Sequence, residues 1–206
     1  QIDGNVALLA IGVEGNINNI GLQDIGVNSE NGSISINNYC QTNISNIYAI
    51  GDVAGPPWLA HKASAQGHMV ADLICGEHVH EIDYFNVPNC TYCQPQVASL
   101  GLTESKAKDL GHNIKVGKFF FRASGKAMAV GNTFGFVKLI FDDRYGELIG
   151  AHIIGDGATE MIAELNVAKA LESTWEDLAM TMHAHPTLSE AVMEAAMDAF
   201  GSAIHQ

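Results

Sequence analysis

Hydrophobic residues follow two rhythms along the chain. Short apolar runs broken by Gly, Asn and Pro dominate the first three quarters, and a helical spacing takes over towards the C-terminus. Val6-Ala7-Leu8-Leu9-Ala10-Ile11-Gly12 reads as a buried strand. Asn28-Ser29-Glu30-Asn31-Gly32 reads as a turn between short strands, and Thr42 to Ile50 as a turn leading into a buried strand with Gly51-Asp52 at its carboxyl end. A helix is expected from about Ala60 to Ile74, and this first region runs to about Asp83. Beyond Tyr84 the pattern predicts strands at roughly 95–101, 114–122, 135–142 and 147–154. A helix near Glu104–Leu110 is closed by Gly111, and a turn falls at Asp143-Arg144-Tyr145-Gly146. Helices follow at about Thr159–Leu171, at Trp175–Met182 behind a Ser173-x-x-Glu176 cap, and at Leu188–Ile204. Strands followed by helices predict an α+β domain, with helices on one face of an antiparallel sheet.

Composition narrows the function classes. With 206 residues and 47% hydrophobic content, the chain can bury a core and make one or two domains. Its apolar runs fall well short of the ~20 residues that span a bilayer, and no basic segment precedes one as in a signal peptide, so a soluble, cytoplasmic protein with no membrane contact is expected. A net charge of −13 argues against nucleic acid and suits a basic partner.

The residues that suggest chemistry lie in His183-Ala184-His185-Pro186-Thr187-Leu188-Ser189-Glu190. An imidazole oriented by a carboxylate is a general base for proton abstraction near neutral pH. Thr187-x-x-Glu190 also fits a capping box, and one carboxylate could serve both purposes. Pro186 restricts His185 to extended backbone and permits a cis bond. His183 falls on the end of the preceding helix, so His185 is the candidate base. Asp52, at the end of a strand, can accept hydrogen bonds from a sugar-like hydroxyl, and the helix that begins near Ala60 points its N-terminus there. Of the four cysteines, Cys40, Cys75, Cys90 and Cys93, the last two form a C-x2-C pair. No second pair or spaced histidines accompany it, and a strand rather than a helix follows, so structural or incidental thiols and no metal site are expected. His68, His78, His80, His112, His152 and His205 show no metal-like spacing and read as surface or packed residues.

Two separated motifs carry a family resemblance. Thr42-x5-Tyr48-Ala49-Ile50-Gly51-Asp52 resembles the second FAD-binding motif of the flavoprotein pyridine nucleotide-disulfide oxidoreductases. His183 to Glu190 resembles their dimerisation-domain signature, and Leu59-Ala60-His61-Lys62 stands where the family has a flavin-associated helix. Within the family, the branch that oxidises dihydrolipoyl groups is the closest match in pattern. The resemblance covers essentially the whole chain but only the C-terminal part of a family member. The absence of GxGxxG and of a C-x4-C redox pair, and a start at Gln1 in a strand pattern, agree with a fragment.

The resemblance implies FAD and NAD as cofactors of the intact enzyme and a division into residues 1–83, the end of an FAD/NAD-binding α/β region, and 84–206, a dimerisation domain. It implies that Gly51 and Asp52 hold the FAD ribityl or phosphate end, and that Leu59, Ala60 and His61 face the flavin. Gly12 would lie near the nicotinamide, although Val13 stands where many relatives carry Arg. His185 with Glu190 would deprotonate the dithiol. The implied partners are a second copy in a homodimer, and the lipoyl domains and core of a 2-oxoacid dehydrogenase complex. Leu188, Ala191, Val192, Ala195, Ala196 and Phe200 form a helical stripe, widened by Met193 and Met197, that fits either a core or a subunit contact; the resemblance favours the contact. A glutathione- or mercuric-reductase-like enzyme, and a non-catalytic dimerisation module, are the competing expectations.

Overall fold

A computed structural model describes residues 3–205. The chain divides into two compact units, one ending at Ile82 and one starting at Asp83.

The first unit has little regular structure. β1 (Ser29–Glu30) and β2 (Ser33–Ile34) form an antiparallel hairpin. Its two turn residues, Asn31 and Gly32, both take positive φ, 51° and 74°, the conformation that matches the twist of paired strands. Ile34 packs with Val27 and Ala49 in a small core. α1 (Ala60–Ile74) buries Lys62, Gln66, Met69 and Val70, the i, i+4, i+7, i+8 face of one helix. Met69 and Val70 close over Cys40.

Two expected strands are not formed. Val6 to Gly12 is irregular, and its apolar side chains face solvent, with Val6 90% and Leu8 91% exposed. A buried strand is made by neighbours on both edges, and among the described residues none pairs with this segment. The segment before Gly51 is likewise reduced to a Gln41–Tyr48 bridge and an Ala49 N–H bond to the Cys40 carbonyl at 2.9 Å. Gly51–Ala54 then forms one turn of 3-10 helix.

The second unit is an α+β layer structure. Its strands are β3 (Asn89–Thr91), β4 (Gln96–Gly101), β5 (Ile114–Phe120), β6 (Gly135–Asp142) and β7 (Leu148–Gly155), antiparallel throughout in the order β3-β4-β7-β6-β5. Helices α2 (Glu104–Asp109), α3 (Gly125–Val130), α4 (Ala158–Ala170), α5 (Trp175–Met180) and α6 (Glu190–Asp198) fill the connections and the C-terminal end. Strand alternation sorts the two faces. Val137, Leu139 and Phe141 of β6 point into the main core with Ile162 and Leu165 of α4 and Val192 of α6, while Ile140 points the other way, to Leu102, Ala107 and Ile149. No described helix is long and apolar enough to cross a membrane.

Some boundaries differ from expectation. The cap of α5 is Thr174 with Asp177, one residue beyond Ser173 and Glu176: the Asp177 carboxylate accepts from the Thr174 N–H at 2.7 Å. β3 and α3 were not foreseen; α3 is set by Ser124 at its N-cap and Gly131, with φ 74°, after its end. α6 is shorter than Leu188–Ile204. Its apolar stripe is core and not an exposed contact surface: Ala191, Val192, Ala195 and Ala196 are all 0% exposed within a single chain. α6 lies so close to β5 that a Cβ built on Gly117 would collide with the Ala195 carbonyl. Gly117→Ala is therefore expected to lower stability by ~1–3 kcal/mol, the usual cost of overpacking a rigid contact. An unchanged urea midpoint would show that α6 can move away freely.

Candidate active site

The chain leaves α5 at Thr181 and runs to α6 through a loop that holds both central histidines. His183 is locked on both nitrogens, Nδ1 to the Thr181 carbonyl at 3.0 Å and Nε2 to Glu164 Oε1 on α4 at 2.5 Å, with its side chain 6% exposed. His185 differs. Its Nδ1 meets Glu190 Oε1 at 2.8 Å, and its side chain is 76% exposed. Its peptide bond to Pro186 is cis.

Glu190 is the first residue of α6 and divides its two oxygens. Oε1 takes the imidazole, and Oε2 accepts the Thr187 N–H at 2.8 Å. Only half of a capping box is formed, because the Thr187 hydroxyl donates to the Ala184 carbonyl at 2.7 Å instead of capping the helix. The Thr187 N–H, followed by the His185 imidazole, holds the Glu190 carboxyl below the usual carboxylate range. An ionised Glu190 keeps the proton on Nδ1, which leaves Nε2 as the nitrogen able to take a proton.

The pair lines a cavity of about 340 Å³ whose other walls include Phe119, Ser124, Met128 and Met193. A second imidazole–carboxylate pair lines the same cavity, His205 Nδ1 to Glu194 Oε1 at 2.6 Å. Glu194 is 3% exposed, and its Oε2 also accepts the Ile204 and His205 N–H groups, each at 3.2 Å, so it fastens the C-terminal segment to α6. Sequence spacing offered no sign of this, since His205 reaches Glu194 only after the chain has turned back at Gly201, which has φ 72°. Two further histidines have partners that spacing could not reveal. His112 bonds Asp142 at 3.1 Å, and His152 Nε2 donates to the Leu102 carbonyl at 3.1 Å.

The other candidate residues lie in the first unit. Asp52 is exposed within the 3-10 turn, beside buried Gly51. Leu59 is the N-cap of α1, and Ala60 and His61 form its exposed first turn. Gly12 is exposed, with φ 136°. All four cysteines are free thiols; Cys90 lies in β3, where burial pushes its thiol up, and Cys93 donates to the Pro95 carbonyl at 3.0 Å. Among the described residues no group of three His, Cys, Asp or Glu could hold a metal ion.

A family model described as the pyridine nucleotide-disulphide oxidoreductase dimerisation domain matches residues 87–196, and the pyridine nucleotide-disulphide oxidoreductase model matches residues 1–67. The dihydrolipoyl dehydrogenase of Rhizobium etli is 50% identical over all 206 residues, which cover 43% of that protein. One from Bacillus subtilis is 48% identical over 198 residues, 96% of this chain and 42% of the relative. The chain thus spans less than half the length of these curated relatives. Among solved structures, LpdA of Mycobacterium tuberculosis superposes with a TM-score of 0.86 at 28% identity, covering 92% of this chain and 41% of that one. The HOCl-induced flavoprotein disulfide reductase RclA of Escherichia coli, with a TM-score of 0.79 at 24% identity over 85% of this chain and 41% of its own, shares the fold.

Proposed function

The chain belongs to the pyridine nucleotide-disulphide oxidoreductases, and from that membership and the His185–Glu190 pair we propose that it forms the acid/base and dimerisation part of a dihydrolipoyl dehydrogenase. The reaction is the oxidation of dihydrolipoyl groups of a 2-oxoacid dehydrogenase complex with reduction of NAD. The observation that carries this reading is an exposed imidazole held through Nδ1 by an ionised carboxylate at the rim of a cavity.

The first unit fits a flavin nucleotide in part. Asp52 offers an exposed carboxylate to a ribityl or ribose hydroxyl, and the Gly51 and Gly55 backbones, with φ 74° and 90°, make a turn that a side chain at either position would strain. The first turn of α1 offers amides and the positive end of a helix dipole to a group that gains negative charge on reduction. Bound FAD supplies the passage of two electrons from a dithiol to NAD. Gly12 is assigned to the nicotinamide side.

The protein's own contribution is proton handling. His185 Nε2 would take the proton of a substrate thiol, whose thiolate attacks the redox disulfide that the family carries outside this chain. The second substrate thiol then displaces the enzyme sulfur, which leaves a lipoyl disulfide and an enzyme dithiol whose two electrons would pass through FAD to NAD. Glu190 fixes the ring's orientation and stabilises the imidazolium that results. The dimerisation-domain match supports delivery of this pair within a homodimer. Phe119 and Met128 line the same cavity as the imidazole and give it apolar walls.

The test compares substrates. The complete FAD-containing enzyme is expected to reduce NAD with dihydrolipoamide and to leave glutathione disulfide and mercuric ion untouched, while the 206-residue chain alone retains no visible flavin absorbance after purification. Turnover of glutathione disulfide or mercuric ion in place of dihydrolipoamide would transfer the chain to another branch of the family.

A further inference from the structure

Lys62 is the most deeply buried charged residue described in the first unit, at 1% exposure, and its acceptors are neutral. Nζ donates to the Gly51 carbonyl at 3.1 Å and to the Gly55 carbonyl at 2.7 Å. A buried ammonium with no carboxylate in its hydrogen-bond shell is expensive and persists only where the fold requires its donors. Burial pushes its pKa down, and the charge of Asp52 works against that.

The two acceptors define what Lys62 does. Gly51 and Gly55 bracket the Gly51–Ala54 turn, so a single ammonium spans both ends of the turn that presents Asp52. One helical turn later on α1, Gln66, also 1% exposed, accepts the Gly51 N–H through Oε1 at 2.8 Å. A Cβ on Gly51 would lie 3.4 Å from the Ala63 side chain, so the turn rests directly on α1. Lys62 and Gln66 stand at i and i+4 on the buried face of a helix whose first turn carries Ala60 and His61.

We infer that Lys62 and Gln66 are positioning residues of the flavin site, clamping the Gly51–Gly55 turn to α1 so that Asp52 and the amides of Ala60 and His61 keep one fixed spacing. The inference rests on the FAD assignment above. Neither side chain needs to touch the nucleotide; the clamp acts through Asp52, whose carboxylate would otherwise move with a turn built on two positive-φ glycines.

The complete FAD-containing enzyme provides the test, with FAD dissociation followed by the recovery of free-flavin fluorescence on dilution. Lys62→Met is expected to raise the FAD dissociation constant about tenfold, the effect of losing charge-assisted hydrogen bonds. In an Asp52→Asn background the same substitution is expected to change it by less than about twofold, because residues that act as one unit are not additive. Wild-type affinity in folded Lys62→Met, or an equal loss in both backgrounds, would overturn the clamp. If Lys62→Met does not fold, Gln66→Leu removes the acceptor for Gly51 N–H and keeps the ammonium. A loss of affinity that disappears in the Asp52→Asn background is then expected, and either no loss or an undiminished one overturns the inference. An unsubstituted enzyme that binds no FAD would instead overturn the flavin reading itself.

Discussion

Ala195→Glu is expected to remove a large share of the stability of the second unit. Ala195 is 0% exposed and packed among Phe119, Val137 and Val192, and its carbonyl sits against Gly117 of β5, so a carboxylate there has neither space nor a partner. An unpaired charge forced into such a site costs several kcal/mol, roughly 3–5 by comparison with broken buried pairs, against a total stability of about 5–15 for a domain of ordinary size. A urea midpoint lowered by the equivalent of several kcal/mol would be the observed result. A variant that keeps the native near-UV spectrum but becomes monomeric would return the α6 stripe to the subunit contact.

That stripe shows where sequence reading reaches its limit. Leu188, Ala191, Val192, Ala195 and Ala196 have helical spacing, which identifies an apolar face but not what covers it. Small side chains allow close approach equally well to a partner helix or to a strand, and the deciding residue was Gly117, far away in sequence. The β6 and β7 hairpin, by contrast, was readable almost to the residue. Its alternating apolar positions and the Asp143-Arg144-Tyr145-Gly146 turn are local signals, and its neighbours lie within the same unit. The same kind of apolar run at Val6–Gly12 forms no strand, because hydrophobicity supplies a face while pairing edges must come from other segments.

The site divides along similar lines. The closeness of His185 and Glu190 follows from a short loop leading into a helix, so their pairing was within reach of sequence. The engagement of His183 was not: it depends on Glu164, which lies on α4 and far from His183 in sequence. The Glu194–His205 pair and the Lys62 clamp were hidden for the same reason, since each joins residues whose spacing has no periodic meaning.

His185→Gln should depress dihydrolipoamide turnover of the complete enzyme by at least ~100-fold, about 3 kcal/mol of transition-state stabilisation, within the range for loss of a general base. Glutamine keeps a side chain of similar reach and can still donate to Glu190, so orientation is largely preserved while the proton acceptor is removed. Glu190 remains bonded to the Thr187 N–H, so α6 keeps its start and folding is unaffected. The loss should therefore appear in kcat, with flavin content unchanged, because Asp52 and the first turn of α1 belong to the other unit.

The most direct measurement is rapid mixing of oxidised, FAD-containing enzyme with dihydrolipoamide, comparing the rate of flavin-centred reduction in the unsubstituted protein and in His185→Gln. A rate lower by two orders of magnitude or more at equal flavin content is the expected result; reduction at a near-normal rate would remove His185 from the chemistry and leave its bond to Glu190 as a structural contact.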